Sequence, residues 1–147
     1  MAKARRISRS TTIAAPPEEL FELLTNPARH PELDGSGSVR GAVEDPGRVG
    51  PGDRFRMRMR IVVPYRITMR VVEHDEPHLI AWKGPTGQVW RWELEPVDGG
   101  TRVTETFDYS GIVYTPTVLE LTGFARKNAR GIEATLAGLR ERFGTPD

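Results

Sequence analysis

Arg54-Phe55-Arg56-Met57-Arg58-Met59-Arg60 is the stretch that decides the fold. Apolar and charged residues alternate at every step, and Ile61 extends the apolar set. Successive side chains of a strand point to opposite faces, so this segment has one dry face and one wet face. One-sided wetting is a property of antiparallel sheets. Downstream the same pattern keeps returning. After the turn Val62-Val63-Pro64-Tyr65, Ile67, Met69 and Val71 alternate with Arg66, Thr68 and Arg70. Asp75-Glu76-Pro77 turns the chain into residues 78–83, with Ile80 and Trp82 on one face. Gly84-Pro85-Thr86-Gly87 leads to residues 89–95, where Trp90, Trp92 and Leu94 oppose Arg91, Glu93 and Glu95. Asp98-Gly99-Gly100 is a hairpin signal, and residues 101–109 form the last strand of an antiparallel meander.

Upstream, the Ser, Thr and Ile of residues 6–14 read as a first strand. Ala15-Pro16-Pro17-Glu18-Glu19 then starts a helix. Proline is tolerated in a first turn, and the glutamates face the positive end of the helix dipole. Leu20, Phe21 and Leu24 are its apolar stripe, and Asn26-Pro27 ends it. The same pair opens a second short helix, residues 27–33. Between Asp34 and Gly52 the glycines and prolines leave room for one short strand, residues 38–43. After residue 115 the period changes. Leu121, Ala125, Asn128, Ile132, Leu136, Leu139 and Phe143 recur at steps of three and four, predicting one amphipathic helix over 116–143. At 1.5 Å per residue it spans about 40 Å, with Gly123 and Gly131 inside it.

The fold class is therefore α+β, in one domain over residues 1–147. A long helix across a flat sheet touches it only along its middle, whereas a curled sheet grips most of its length. Curling leaves space that side chains fill only in part, and unfilled apolar space costs roughly 24 cal/mol per Å³. A cavity kept at that cost points to a ligand.

Composition narrows the functions. No cysteine is present, which excludes thiol nucleophiles and zinc–thiolate sites. With 21 basic and 20 acidic residues, no global field draws in nucleic acid or an anionic membrane. Met1-Ala2-Lys3-Ala4-Arg5-Arg6 leads into polar residues, so no signal peptide is expected, and no apolar run approaches a membrane span. A cytoplasmic protein without cofactor is expected, its oligomeric state left open. No Gly-rich phosphate loop or nucleophile elbow occurs. His74 and His78 lie on either side of a turn and need not converge, so no metal site is expected.

Residues 8–21, Ser8-Arg9-Ser10-Thr11-Thr12-Ile13-Ala14-Ala15-Pro16-Pro17-Glu18-Glu19-Leu20-Phe21, followed by Thr25-Asn26-Pro27, resemble the start of the polyketide cyclase/dehydrase and START-related helix-grip superfamily. So do Trp90-Arg91-Trp92-Glu93-Leu94-Glu95-Pro96 and Gly100-Thr101-Arg102-Val103-Thr104-Glu105-Thr106. The resemblance covers nearly the whole chain. It implies a helix-grip fold: a curved antiparallel sheet wrapped around the C-terminal helix, with two short helices after the first strand. It also implies an apolar or amphipathic guest, such as a lipid or polyketide. Some members of the superfamily are enzymes and many are carriers or sensors, so the resemblance does not choose between these.

The face assignments place Phe55, Met57, Met59, Ile67, Met69, Ile80, Trp82, Trp90 and Trp92 inward. Each alone is equally a core residue; as a set they suit a flat or irregular guest. Glu105, Tyr109 and Phe107 share the inward face of the last strand with Val103. Glu105 is a general acid or base if burial raises its pKa, or a structural group if an arginine pairs with it or a bulge turns it out. Asn128 hydrogen-bonds either a ligand or the sheet backbone. His30, beside the Asp34-Gly35-Ser36-Gly37 turn, is the histidine nearest the expected cavity. Tyr65, Val63 and Ile112-Val113-Tyr114 either rim its mouth or pack on helix ends. The expected ligand-binding set is therefore Phe55, Met57, Met59, Tyr65, Met69, Trp82, Trp90, Trp92, Phe107 and Asn128. Glu105, Tyr109, Asn128 and His30 are the catalytic candidates.

Three functions compete. The first is binding of an apolar small molecule, and the second is cyclase or dehydratase chemistry in the same cavity. The third is interaction with nucleic acid or a partner through Arg54, Arg56, Arg58, Arg60, Arg66 and Arg70. Against the third, the arginines are expected to pair with Glu73, Glu93 and Glu95, and no nucleic acid is expected as partner.

Overall fold

The computed structural model describes residues 5–35, 39–44, 46–60, 63–112 and 123–146, and of residues 124 and 125 the backbone alone. Seven strands form one antiparallel sheet: β1 (Arg6–Ile13), β2 (Val39–Ala42), β3 (Arg54–Arg60), β4 (Pro64–Asp75), β5 (Leu79–Lys83), β6 (Val89–Val97) and β7 (Gly100–Asp108). Their order is β1-β7-β6-β5-β4-β3-β2, a meander whose last strand takes β1 as its neighbour. Register slips between Val39 and Gly41 on β2 and between Val71 and Glu73 on β4. An extra residue in one strand of a pair sharpens the local twist, and the sheet is curled into a half-barrel.

Helix α1 (Pro17–Thr25), a 3-10 turn (Pro27–Arg29) and α2 (His30–Leu33) follow β1. The last carbonyls of α1 have no partner within the helix. Here side chains and a neighbouring loop supply the donors. Thr25 Oγ1 donates to Phe21 O at 3.0 Å, Asn26 Nδ2 to Glu22 O, and the Val49 N–H to Thr25 O at 2.8 Å. His30 serves Leu24 O. The short helices are thus held by polar bonds at the point where they turn over the sheet.

The long helix, α3 (Phe124–Phe143), lies along β1. Arg9 Nε donates to Glu133 Oε1 at 3.1 Å, and the Ala14 N–H to Gly144 O at 2.9 Å. The helix has 20 residues, about 30 Å, and is shorter than the periodicity predicts. Gly123 precedes it in a left-handed conformation, φ 72°, and so is not an interior residue. Residues 116–122, with Leu121, fall outside the described residues, as do the side chain of Ala125, residues 36–38, 61–62 and the loop at 113–114.

The concave face carries the core. Ile13, Val71, Ile80, Leu94 and Val103 pack with Leu20, Phe21 and Leu24 of α1 and Ile132, Leu136 and Leu139 of α3. Tyr65 is not in a turn, because β4 begins at Pro64 and Tyr65 pairs with Met59. The slip after Val71 brings His74 inward, its ring 5.5 Å edge-on from Phe21. No described helix is long and apolar enough to cross a membrane.

Candidate functional site

A cavity of about 410 Å³ lies between the concave face of β3–β7, α2 and α3. Every residue of the expected ligand-binding set lines it: Phe55, Met57, Met59, Tyr65, Met69, Trp82, Trp90, Trp92, Phe107 and Asn128. The alternation explains why, since these are the inward positions of neighbouring strands in register. Met57 pairs with Ile67, Phe55 with Met69, Trp82 with Trp90, and Trp90 with Phe107. All three tryptophans of the chain are therefore in this wall. Ile80 faces the same way but belongs to the filled core beside it.

Of the catalytic candidates, Glu105, His30 and Asn128 line the cavity and Tyr109 does not. The β7 strand ends at Asp108, and the buried Tyr109 ring stacks on Phe107 at 5.8 Å as part of the filled core, its N–H bonded to Arg5 O at 2.9 Å. Asn128 is half-buried on the inner side of α3. Val63, by contrast, is 65% exposed, whereas Ile112 is buried and reaches the cavity wall.

His30 is the better anchored of the two titratable candidates. Its Nε2 lies 2.8 Å from Leu24 O, and a carbonyl only accepts, so Nε2 carries the proton and Nδ1 is left as an acceptor. Its ring stacks on Trp82 at 4.9 Å, with Phe55 edge-on to both. Burial lowers its pKa to about 4, although the Leu24 bond and the Asp34 charge pull the other way. The imidazole is therefore neutral at pH 7.

Glu105 is 6% exposed and sits opposite Trp92 in register. Its other register partner is Arg9, yet that guanidinium turns to Glu133. Among the described residues no arginine pairs with it, and no bulge turns Glu105 outward. Burial, reinforced by the Asp34 carboxylate, holds its carboxyl well above the usual range. The wall accordingly has a carboxyl whose proton is held more tightly than usual and an imidazole that stays neutral.

Several wall residues escaped the sequence reading: Asp34, Gln88, Gly131 as a lining position, and Thr135. Thr135 follows Ile132 by three, so the helical period held the signal. Its Oγ1 donates to Gly131 O and accepts the Gly35 N–H, both at 2.9 Å. At Gly35 the backbone meets α3 closely, for a Cβ there would lie 2.4 Å from the carbonyl carbon of Ala134. Asp34 was read only as part of a turn; it accepts the Val39 N–H at 3.1 Å.

The convex face departs from expectation. Arg54 is opposite Arg70, Arg70 opposite Lys83, and Arg58 opposite Arg66. Glu73 pairs with Arg91 of β6 rather than with the arginine row. Within the row and among the described residues, only Arg56 has an ion pair, 3.6 Å from Glu44. A hollow of about 460 Å³ on this face is bordered by Arg91, Glu93, Glu95 and Arg102, charged groups that already meet water. Among the described residues no three His, Asp or Glu side chains are grouped as metal ligands would be.

Comparison with known proteins gives the lineage. A family model described as polyketide cyclase/dehydrase and lipid transport matches residues 4–144. The uncharacterized protein Rv0088 of Mycobacterium tuberculosis H37Rv is 47% identical over 143 residues, 94% of this chain and 64% of its own length. This chain therefore spans about two thirds of that relative, a little less by count. A crystal structure of a Rhodobacter sphaeroides protein has a TM-score of 0.72 at 25% identity, covering 96% of this chain and 93% of its own. Protein Ms6760 of Mycobacterium smegmatis gives a TM-score of 0.72 at 16% identity over 95% and 90%, a likeness of fold alone. With the family's model matched over almost all its length and its curled sheet and helix in place, the chain belongs to the polyketide cyclase/dehydrase and lipid transport family.

Proposed function

We propose that the protein binds an apolar or amphipathic small molecule in the cavity between sheet and α3, and carries or sequesters it. The observation that carries this reading is the cavity itself. Its volume of about 410 Å³ falls within the roughly 300–1,000 Å³ of small-molecule sites, and six Phe, Tyr and Trp rings and three methionines stand in its wall. Rigid indole and phenyl faces suit a flat guest, while Met57, Met59 and Met69 adapt to its outline.

Because all three tryptophans line the cavity, intrinsic fluorescence reports its contents. Titration with the neutral dye N-phenyl-1-naphthylamine is expected to quench tryptophan emission saturably at one dye per chain. Met57→Trp narrows the cavity and should weaken dye binding in a protein that still unfolds cooperatively. Dye binding that leaves tryptophan emission unchanged would sink the reading.

A second reading, proton-transfer chemistry of the cyclase or dehydratase kind, is favoured by one observation. A carboxyl that burial pushes well above its usual pKa and a neutral imidazole acceptor share one wall. It requires Glu105→Gln to abolish turnover of a polyketone while leaving its affinity nearly intact. A change in affinity alone favours the carrier.

A further inference from the structure

Among the described residues three buried side-chain polar atoms find no hydrogen-bond partner: His74 Nε2, away from the cavity, and two on residues of its wall. Trp92 Nε1 and Glu105 Oε1 are both fully buried, and neither finds a hydrogen-bond partner among the described residues. They belong to residues 2% and 6% exposed, directly opposite one another on β6 and β7 and on the same face. Both residues line the cavity. A buried donor or acceptor without a partner costs about 1–3 kcal/mol, and natural cores rarely keep one. Here two are kept on neighbouring side chains that both contribute to the cavity wall. An indole N–H only donates, whereas a protonated carboxyl donates through one oxygen and accepts through the other. Together they present the indole donor and, at Glu105 Oε1, one oxygen that donates when it carries the proton and accepts when it does not.

We propose that Trp92 and Glu105 form a polar pole that receives an uncharged carbonyl or hydroxyl oxygen at the end of an otherwise apolar ligand, and that the pole discriminates against carboxylates. This rests on the reading of the cavity as a ligand site and names what the ligand must present there. One oxygen with two lone pairs accepts from Trp92 Nε1 and from Glu105 Oε1 when that atom carries the proton; a hydroxyl donates to Oε1 when it does not. A carboxylate would be repelled by the Asp34 charge at this wall. Asp34 and Glu105 lie on this wall, and the Asp34 charge already acts on Glu105. The other charged or titratable groups nearby do not reverse this. His30 is neutral, Arg9 is engaged by Glu133, and Lys127 lines the cavity from an exposed position on α3. Desolvating a ligand charge without a counter-charge is far costlier than desolvating a ketone or phenol.

The test uses naphthalene, 2-naphthol and 2-naphthoate, three flat probes differing in one substituent. Each competes with N-phenyl-1-naphthylamine on the intact protein at pH 7.5. In the wild type, 2-naphthol is expected to bind roughly tenfold tighter than naphthalene, the worth of about one buried hydrogen bond, and 2-naphthoate weakest of the three. The readout is the naphthol-to-naphthalene ratio within each variant. Glu105→Leu should bring it close to one, Trp92→Phe should reduce it, and Glu105→Gln, which keeps a donor and an acceptor, should retain it. A ratio near one in the wild type, or tighter binding of naphthoate, overturns the pole while leaving the cavity as a ligand site. An unchanged ratio in Glu105→Leu does the same. Failure of the dye and of all three probes overturns the ligand reading itself. Thermal unfolding of each variant shows that the ratios come from folded protein.

Discussion

The two faces of one sheet treat charge in opposite ways. On the convex face Arg54 meets Arg70, Arg70 meets Lys83 and Arg58 meets Arg66, like against like in direct register. Water and salt screen them, so the cost is small and the fold tolerates it. On the concave face only a few polar groups are admitted, and each has a definite consequence. His30 is bonded to Leu24 and kept neutral, while burial, with the Asp34 charge, pushes the Glu105 carboxyl well above its usual range. The two sides differ in access to solvent: Arg54, Arg58 and Arg70 are exposed, whereas Glu105 and His30 are buried. The sheet therefore separates a surface where sign hardly matters from an interior where it decides what can enter.

The sharpest way to break this contrast is to delete matter from each side. Phe21 is 0% exposed against the concave core, and Phe21→Ala should cost about 3–5 kcal/mol in urea unfolding. Arg58→Ala on the other face should stay within about 0.5 kcal/mol. Equal losses would show that the convex arginines are structural after all.

Protonation sharpens the contrast next. The unfolded His30 imidazole gains its proton near pH 6.5, while the folded one gains it only near pH 4. Acid therefore favours the unfolded state across that window, and stability present above pH 6.5 is lost as pH falls through 4. The loss is roughly 3 kcal/mol, visible as the difference in pH dependence between wild type and His30→Phe. Glu105 acts in the reverse sense. Its folded carboxyl holds the proton more tightly than the unfolded one, so its contribution is complete below about pH 4.5 and fades as pH rises. Glu105→Gln should remove that decline. A wild type whose stability tracks both variants in parallel would contradict the burial of these groups.

The smallest effect belongs outside. Arg70→Glu turns two like-charge neighbours, Arg54 and Lys83, into opposite-charge ones. It should stabilise by about 0.2–1 kcal/mol at low salt, with the gain disappearing in 1 M salt.

Much of this contrast is written in the sequence, because period two sorts side chains by face without any knowledge of neighbours. Phe55, Met57, Trp82 and Trp92 are assigned to the concave face by that rule alone. What it cannot supply is register. Glu73 bonds Arg91 instead of the arginine row because strand alignment, not alternation, decides who stands opposite whom. Nor does it foresee a bulge, since one added residue carries no hydrophobic signature. His74 faces Phe21 only because the chain slips after Val71. Tyr109 has the right parity, yet the strand has already ended. Thr135 was legible at three residues beyond Ile132 but is polar, and a search for apolar residues passes over it. Asp34 offered no periodic signal at all, being the residue that leaves a four-residue helix.

The contact between Gly35 and α3 bears on all of this in another way. With no side chain at residue 35, the segment after α2 rests against the backbone at Ala134 and Thr135 and takes a hydrogen bond from its own N–H to the threonine. Any larger residue must part the two by the width of a methyl group. The position works as a calliper: it fixes the separation between the short helices and the long one, and with it the room left for a guest, from a residue that does not line the cavity.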